Sequence, residues 1–469
     1  MANRREFNKV LNPLDVLVTA FGAMIGWGWV VSTGSWISRA GVLGTVLGYV
    51  IGGTMIFFVG LTYSELTTAM PQAGGVRVFS YKAFGPAGSF VCSWFMILSY
   101  ISVVCFEACS LPTVIQYIFP GFLRGYLYSV AGFDIYATWL AFALIFAVLI
   151  TYVNIRGIKA AAVLQTGLTL IIAAVGIILV AAAAVNGRAD NLAGQLFLGE
   201  NGLSIIKNVL SVAVIAPFFL FGFDVIPQVA EEINVPLKKV GRLMLLSIIL
   251  AVGFYGLIVS AVGFVMNPSD IASSVEQNGL VTADAMAKAF SSKTMAKVLI
   301  IGGICGIVTS WNSFLMGGSR ALFSMAEAHM IPSAFGKLHD RYKTPTNAIL
   351  LVGALSVISV FFGRTMLVWI SDVASFACCI AYCMVAIAFI VLRKRMPDMP
   401  RPYRVKHSIS VGWIATIMAG VMAILYLIPG SGCSFTAQEL IIAVIWIVLG
   451  LFFAVVSKVK YGNRFGLEK

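Results

Sequence analysis

The stretch FGAMIGWGWV at residues 21–30 interrupts the first long apolar run of the chain with three glycines. Glycine destabilises a helix by about 1 kcal/mol relative to alanine, so this run is expected to unwind near its middle. A second apolar run carries PFFLFGFD at residues 217–224, where proline and glycine again lie at depth. Interruptions at corresponding places in the two halves of a chain indicate an inverted repeat of membrane helices.

Apolar runs continue through most of the sequence. Of the 469 residues, 60% are hydrophobic and 11% are charged, whereas soluble domains carry roughly 25% charged residues. A soluble globular protein is therefore excluded, because runs of about 20 apolar residues are long enough to cross a bilayer. The runs are continuous and lack the alternation of a membrane β-barrel. The sequence therefore predicts an all-α integral membrane protein with about twelve transmembrane helices.

The distribution of charge predicts the orientation of these helices. Most of the 32 lysines and arginines fall in loops on one side when the N-terminus is placed in the cytoplasm, as the positive-inside rule requires. This predicts a multi-pass protein of the plasma (inner) membrane with both termini cytoplasmic. The same rule accounts for the net charge of +13, so no nucleic-acid partner is expected. The spacing of the cysteines and histidines predicts no metal site, and no cofactor is expected.

The breaks and the hydropathy pattern divide the chain into five parts. No residue-level identity relates the two halves, so the repeat is inferred from hydropathy and from the interruptions alone. The predicted parts are a cytoplasmic N-terminus (1–13), a first five-helix repeat (14–186), a second five-helix repeat (203–395), a cytoplasmic loop with two appended helices (396–457) and a cytoplasmic tail (458–469).

Unwound backbone inside a membrane is tolerated only where it lines a cavity, because its amides and carbonyls need partners. The amides of Gly26, Trp27 and Gly28 would open a half-helix and suit a carboxylate. The carbonyls of residues 218–221 would suit an ammonium group. The two breaks together predict a zwitterion site in a transporter, and the alternative is that these glycines only allow close helix packing.

Several motifs in the expected order carry a resemblance to a known family. The sequence resembles the amino acid, polyamine and organocation (APC) transporter family, and in particular its bacterial amino acid permeases. The resemblance implies a LeuT-like fold of five plus five inverted helices with two more appended. The segments that carry it are GAMIGWGWV (22–30), YSELTTAMPQAGGVRVFSYKAFGPAGSF (63–90), FLFGFDVIPQVAEEINVPLKK (219–239), NSFLMGGSRALFSMAEAHMIPSAFGKLHDRYKTP (312–345) and RMPDMPRPYRV (395–405).

The resemblance also implies which residues would contact a substrate. Phe218 would occupy the place of an aromatic gate, and the carbonyls of Phe219 and Phe221 would hold the amine. Two positions depart from the family pattern: Trp27 replaces a small residue, and Ile172 stands where many members carry a lysine. The implied substrate-binding residues are Ala23, Met24, Ile25, Gly26, Trp27, Gly28, Glu107, Phe218, Phe219, Phe221 and Gly222.

Ionisable residues inside membrane spans are rare and suggest function. Glu107 is expected to bind a cationic group or carry a proton, or else to bond a neighbouring helix or the kink before Pro112. Asp224 matches the family's acid after the second break and is expected either to have a coupling or gating role or to cap the following half-helix. Asp372 is expected to cap the tenth span.

Hydroxyl groups in the eighth span offer a second kind of coupling site. Thr309, Ser310 and Ser313, with carbonyls near Ala23 and Gly26, would form an oxygen cage for Na⁺, or else bond to neighbouring backbone. At the cytoplasmic end, charged residues either close an inner gate by ion pairing or are solvated loop charges. They are Glu231, Glu232, Arg320 and Lys343.

These features together predict a secondary active transporter of amino acids or closely related amines that works by alternating access and performs no chemistry on its substrate. The coupling ion is left open between H⁺ and Na⁺. Glu107 raises a cationic amine or polyamine transporter or exchanger as an alternative. From other classes, the alternatives are an ion channel on the same fold and an amino acid sensor that binds without transport.

Overall fold

The computed structural model describes residues 7–119, 121–130, 133–277, 280–363, 365–431 and 433–467. Eleven helices in these ranges are long and apolar enough to cross a membrane, and a further apolar helix, Thr346–Val360, is shorter. The prediction of an all-α membrane fold is therefore confirmed. Residues 1–6 of the predicted N-terminal part and residues 468–469 of the predicted tail lie outside the described ranges.

The first half of the chain contains five spans, and the first of these is divided into three helices. The side chain of Asn12 accepts hydrogen bonds from the amides of Leu14 and Asp15, and Pro13 occupies the first turn, so the first helix begins with a capping box. The elements are α1 (Pro13–Met24), α2 (Gly28–Val31), α3 (Thr33–Ala40), α4 (Val42–Ala69), α5 (Gly75–Ile118), β1 (Tyr126–Val130), β2 (Phe133–Tyr136), α6 (Ala137–Ile155) and α7 (Ile158–Asn186).

The two strands form a small antiparallel hairpin between α5 and α6. Tyr126 pairs with Tyr136, and Val130 pairs with Phe133. This hairpin was not predicted from the sequence, although aromatic and β-branched residues on both sides of a short turn favour one. It is a local addition to the connection between two spans.

The second half also begins with a divided span and ends with two helices outside the repeat. Two short helices, α11 and α12, lie between its second and third spans. The elements are α8 (Gly202–Phe219), α9 (Val225–Gln228), α10 (Leu237–Val265), α11 (Pro268–Gln277), α12 (Val281–Ala289), α13 (Lys293–Glu327), α14 (Thr346–Val360), α15 (Thr365–Arg395), α16 (Ser408–Leu425) and α17 (Ala437–Tyr461).

The divided spans lie inside the helix bundle. The first of them, α1, contacts α7, α10 and α13, while α5 packs extensively against both α13 and α15. The helix α16 packs against α15, and α17 is the least buried of the membrane-length helices. Because the divided spans are enclosed by the other helices, their unwound segments face protein or an internal cavity rather than lipid.

Candidate functional site

The two breaks contact each other. Gly222 in the second break has a φ of +146°, a backbone conformation that favours glycine. A Cβ added at Gly222 would lie 2.7 Å from Cβ of Ala23 in the first break. One step further along, a Cβ added at Gly28 would overlap the ring of Phe219. The absence of side chains at these two glycines therefore lets the unwound segments approach closely.

The first break leaves three consecutive amides without a protein acceptor. The last helical bond of α1 runs from the amide of Ile25 to the carbonyl of Phe21, at 3.0 Å. In the part of the chain that the structure describes, no group accepts a hydrogen bond from the amides of residues 26–28. These amides lie at the N-terminal end of α2, where backbone donors attract negative charge. They are suited to bind an anionic group.

A small cavity lies between the breaks, with a volume of about 20 Å³. This is room for about one water molecule, so the cavity is contracted and does not hold an amino acid in this conformation. Its lining comes from both breaks and from α5, α10 and α13. The lining residues are Ala23, Met24, Gly26, Trp27, Gly28, Val103, Phe106, Glu107, Phe218, Phe219, Tyr255, Ser310 and Phe314.

The structure thus brings most of the expected binding residues to one cavity but leaves others outside its lining. Phe221 is one of these, and its ring stacks on Phe314 with centroids 4.8 Å apart. Gly222 packs against the backbone of the first break instead. The expected residues outside the lining are Ile25, Phe221, Gly222, Asp224, Thr309 and Ser313.

A larger cavity of about 740 Å³ lies on the α3 side of the breaks. It shares three lining residues with the small cavity, namely Trp27, Phe106 and Phe219. These three aromatic side chains therefore form the partition between the two spaces. The resemblance implied that Phe218 would occupy the place of the aromatic gate. Phe218 lines only the small cavity, however, whereas Phe219 borders both cavities.

Trp27 stands where the family has a small residue, and a glycine on a neighbouring helix makes room for its side chain. A Cβ added at Gly303 in α13 would overlap the indole ring of Trp27. Trp27 is 2% exposed, so the indole fills the contact between the first break and α13. Small residues at helix contacts commonly make such room in membrane proteins. The bulky side chain consequently occupies a helix interface, and its edge also narrows the passage between the cavities.

Glu107 of α5 lies against the first break. A Cβ added at Gly26 would lie 2.8 Å from Oε1 of Glu107 and 3.0 Å from Cβ of Ser310. The hydroxyl of Ser310 interacts with the Glu107 carboxyl group. The second carboxyl oxygen, Oε2, is buried and has no hydrogen-bond partner within the described residues. Glu107 thus faces the cavity rather than the kink before Pro112, which was one of the expected alternatives.

The carboxylate of Asp224 links the backbone of the second break to α5 through hydrogen bonds. Its Oδ1 accepts a hydrogen bond from the amide of Gly222 at 3.0 Å, and its Oδ2 accepts one from the hydroxyl of Tyr100 at 2.8 Å. It stands at the N-cap position of α9, but its side chain makes no capping hydrogen bond there. The expectation that Asp224 caps the second half-helix is therefore wrong.

Two hydroxyls of α13, the eighth span, donate hydrogen bonds to the backbone of α1 on the N-terminal side of the first break. Thr309 donates to the carbonyl of Gly22 at 3.1 Å and lies 3.0 Å from that of Gly306, while Ser313 donates to the carbonyl of Thr19 at 3.4 Å. These oxygens were expected near the carbonyls of Ala23 and Gly26. The structure places Thr309 and Ser313 on the carbonyls of Gly22 and Thr19, both before Ala23, whereas the hydroxyl oxygen of Ser310 lies 3.1 Å from a Cβ added at Gly26.

Several lining residues were missed by the sequence analysis. Tyr255 of α10 donates a hydrogen bond to the carbonyl of Met24 at 3.0 Å, so it provides one partner for the backbone that the break frees. Val103, Phe106 and Phe314 supply apolar walls. Of these residues, only Phe106 could have been found from the sequence, because it is next to Glu107, the acid in this apolar span. The residue Asp372, expected to cap its helix, instead lies inside α15 and lines the larger cavity.

The opposite end of the bundle is closed by a buried ion pair. Nε of Arg320 lies 2.8 Å from Oε1 of Glu232, and the two side chains are 1% and 2% exposed. A second contact joins the same groups, from Nη2 to Oε2 at 3.4 Å. Of the four charged residues expected near this end, these two form the pair, while Glu231 accepts a hydrogen bond from the amide of Ala73.

The segment before α1 completes this closure. The amides of Val10 and Leu11 both donate to the carbonyl of Glu232, at 3.0 and 3.1 Å. Further out, Phe7 packs edge-on against Phe323 of α13 with ring centroids 5.3 Å apart. The chain is therefore open to a large cavity on one side of the breaks and closed on the other.

Comparison with known proteins agrees with this architecture. The family described as "Amino acid permease" matches residues 15–465. The chain belongs to the amino acid permease family. Members of this family are permeases and not enzymes, and this chain is accordingly a multi-pass membrane transport protein.

Characterised relatives of this permease are distant but cover nearly its whole length. The branched-chain amino acid permease BcaP of Bacillus subtilis is 24% identical over 96% of this chain and 93% of its own length. A methylthioribose transporter of the same organism is 25% identical over 95% and 92% of the two chains. The glutamate/serine transporter AimA is 26% identical over 98% and 84%. Substrates differ among relatives at this distance.

Proposed function

We propose that this permease is a secondary active transporter of amino acids or closely related amines that works by alternating access. The substrate carboxylate binds the amides of residues 26–28, and its amino group binds near the carbonyls of Phe218, Phe219 and Phe221. The protein resides in the plasma (inner) membrane with both termini in the cytoplasm, so the larger cavity opens outwards. Transport is coupled to a gradient of H⁺ or Na⁺.

The observation that carries this proposal is the set of three unpaired amides in residues 26–28, which line a cavity between two helix breaks. Backbone donors at a helix terminus bind carboxylate groups without a counter-charge from a side chain. The geometry around them favours a carrier over a continuous pore, because aromatic side chains separate this cavity from the larger one and the Arg320–Glu232 pair closes the far end. Loading of a substrate requires the small cavity to expand.

Uptake into proteoliposomes tests the proposal directly. We expect a panel of radiolabelled amino acids and amines to show saturable uptake for at least one member, with an imposed Na⁺ or H⁺ gradient identifying the coupling. Uptake equal to that of empty vesicles across the panel and across both gradients would contradict it. Ion flux without substrate would favour a channel, and ligand binding without uptake would favour a sensor.

A second candidate, transport of cationic amines, is favoured by the unpaired Oε2 of Glu107 beside the cavity. We expect Glu107→Gln to weaken binding of cationic substrates by about 10–100-fold, because a charge-assisted hydrogen bond contributes roughly 1.5–3 kcal/mol. Neutral amino acids should lose much less affinity in the same variant. Competition of each ligand class against a radiolabelled substrate measures this, and equal losses for both classes would remove the cationic candidate.

A further inference from the structure

An apolar groove runs between α5 and α17 on the outer surface of the bundle, with a volume of about 680 Å³. It lies outside the substrate path, since none of its lining residues borders the two cavities described above. Small residues on both helices, Ala87 and Ala454, contribute to its walls. The groove faces the surface that the membrane surrounds.

The groove is bounded at one end by an aromatic contact. Trp94 and Trp446 stack with ring centroids 4.5 Å apart. Each indole donates a hydrogen bond to the carbonyl of the other residue, at 2.9 and 3.1 Å. The ring of Trp94 also lies over Gly450, where an added Cβ would overlap it. These contacts fix α17 to α5 near the middle of the span, and the groove extends from there towards the end of α17.

The other end is formed by the tail after α17. The amide of Gly466 donates to the carbonyl of Ala328 at 2.8 Å, which ties the tail to the end of α13. Asn463 and Phe465 of this tail line the groove, as does Lys458 in the last turn of α17. Among the residues that the structure describes, Lys458 is the only charged one in the lining, and it lies on the side of the bundle that carries the N-terminus.

The length of the groove matches one leaflet of a bilayer. The lining along α17 extends from Ile447 to Lys458, which corresponds to about 16 Å of helix at 1.5 Å per residue. Half of a hydrocarbon core of about 30 Å is about 15 Å. An acyl chain that follows the groove from the Trp pair therefore ends where Lys458 reaches the headgroup region, and the lysine is placed to meet a negative charge.

We propose that this groove binds a phospholipid with an anionic headgroup in the leaflet on the N-terminal side, with its acyl chains along α5 and α17 and its phosphate at Lys458. Charge complementarity at one end and apolar walls elsewhere select such a lipid over a zwitterionic one. The site does not depend on which substrate the protein carries.

Native mass spectrometry of the full chain in detergent tests this. The probes are dioleoyl phosphatidylglycerol, dioleoyl phosphatidylcholine and glycerol 1-phosphate, the last of which has the charge but no acyl chains. We expect one retained phosphatidylglycerol per chain in preference to phosphatidylcholine, and no competition by glycerol 1-phosphate. Lys458→Ala should reduce the preference about fivefold, the factor expected for one basic residue at a membrane surface, and Ala454→Trp should abolish retention by filling the groove.

Two matched variants control for charge and bulk. Lys460→Ala removes a nearby lysine outside the groove, and Val459→Trp adds the same ring at a position that is 82% exposed. Both should retain phosphatidylglycerol as the unmodified chain does. Equal retention of the two lipids, unchanged retention in Lys458→Ala, or effective competition by glycerol 1-phosphate would overturn the proposal. A dimer that Ala454→Trp dissociates without altering lipid retention would show that a second copy occupies the groove.

Discussion

Replacement of Arg320 by methionine is expected to destabilise the protein by about 3–5 kcal/mol, because it leaves the carboxylate of Glu232 buried without its partner. The expectation rests on the depth of the pair, since both side chains are almost fully buried and joined by two contacts. Thermal unfolding in detergent, followed by intrinsic fluorescence, measures the loss. The same change should expose the closed end to a thiol reagent at a cysteine introduced near the pair at a position that leaves Glu232 in place.

Two further variants show whether the loss of stability in Arg320→Met comes from the unpaired charge of Glu232. Arg320→Met combined with Glu232→Leu should recover much of the stability, because removal of both charges avoids an unpaired buried ion. Arg341→Met serves as the matched control, since Arg341 is exposed and should change stability by no more than about 0.5 kcal/mol. An Arg320→Met protein as stable as the Arg341→Met protein would show that the buried ion pair does not stabilise this end of the bundle.

The fold was predictable because its signals are local. Apolar runs of membrane length identify the helices, and glycine or proline in the first and sixth runs indicated the breaks, since both residues weaken a helix. The pairing of the breaks was also predictable, because unwound backbone in a membrane needs a shared polar cavity. The hairpin between α5 and α6 was missed because short strands give a weak pattern.

The site was predicted only in outline because a shift of one residue turns a helical side chain by about 100°. That shift separates Phe218 from Phe219, and only Phe219 borders both cavities. Similarly, Thr309 bonds to Gly22 rather than to Ala23. Glu107 was recognisable as an acid in an apolar span, but its approach to Gly26 depends on how two distant segments pack.

Cavity volume and long-range partners were not predictable from the sequence at all. Tyr255 contacts the carbonyl of Met24 across 231 positions of the chain, and nothing in its local sequence distinguishes it from other buried tyrosines. The contracted state of the central cavity follows from the joint positions of aromatic rings on several helices. Such features arise from tertiary packing, whereas periodicity and composition report on single segments.

The glycine at position 28 provides the sharpest test of the paired breaks. We expect Gly28→Ala to lower saturable uptake about 5–150-fold, because the roughly 1–3 kcal/mol of strain from an added methyl group opposes the conformation in which the two breaks meet. The added methyl would overlap the ring of Phe219. That ring is held by edge-on contacts with Trp36 and Phe218, at centroid distances of 4.8 and 5.1 Å, so it has little freedom to move aside.

Gly256→Ala in α10 is the matched control, because an added Cβ there meets no atom within 4 Å. It should leave uptake unchanged and stabilise its helix by up to about 1 kcal/mol. Phe219→Leu should partly restore uptake to Gly28→Ala, since a smaller side chain leaves room for the methyl group, and the coupling energy of this pair isolates their contact. If Gly28→Ala transports as well as Gly256→Ala, the close approach of the two breaks is not required for transport, and the carboxylate site at residues 26–28 loses its structural basis.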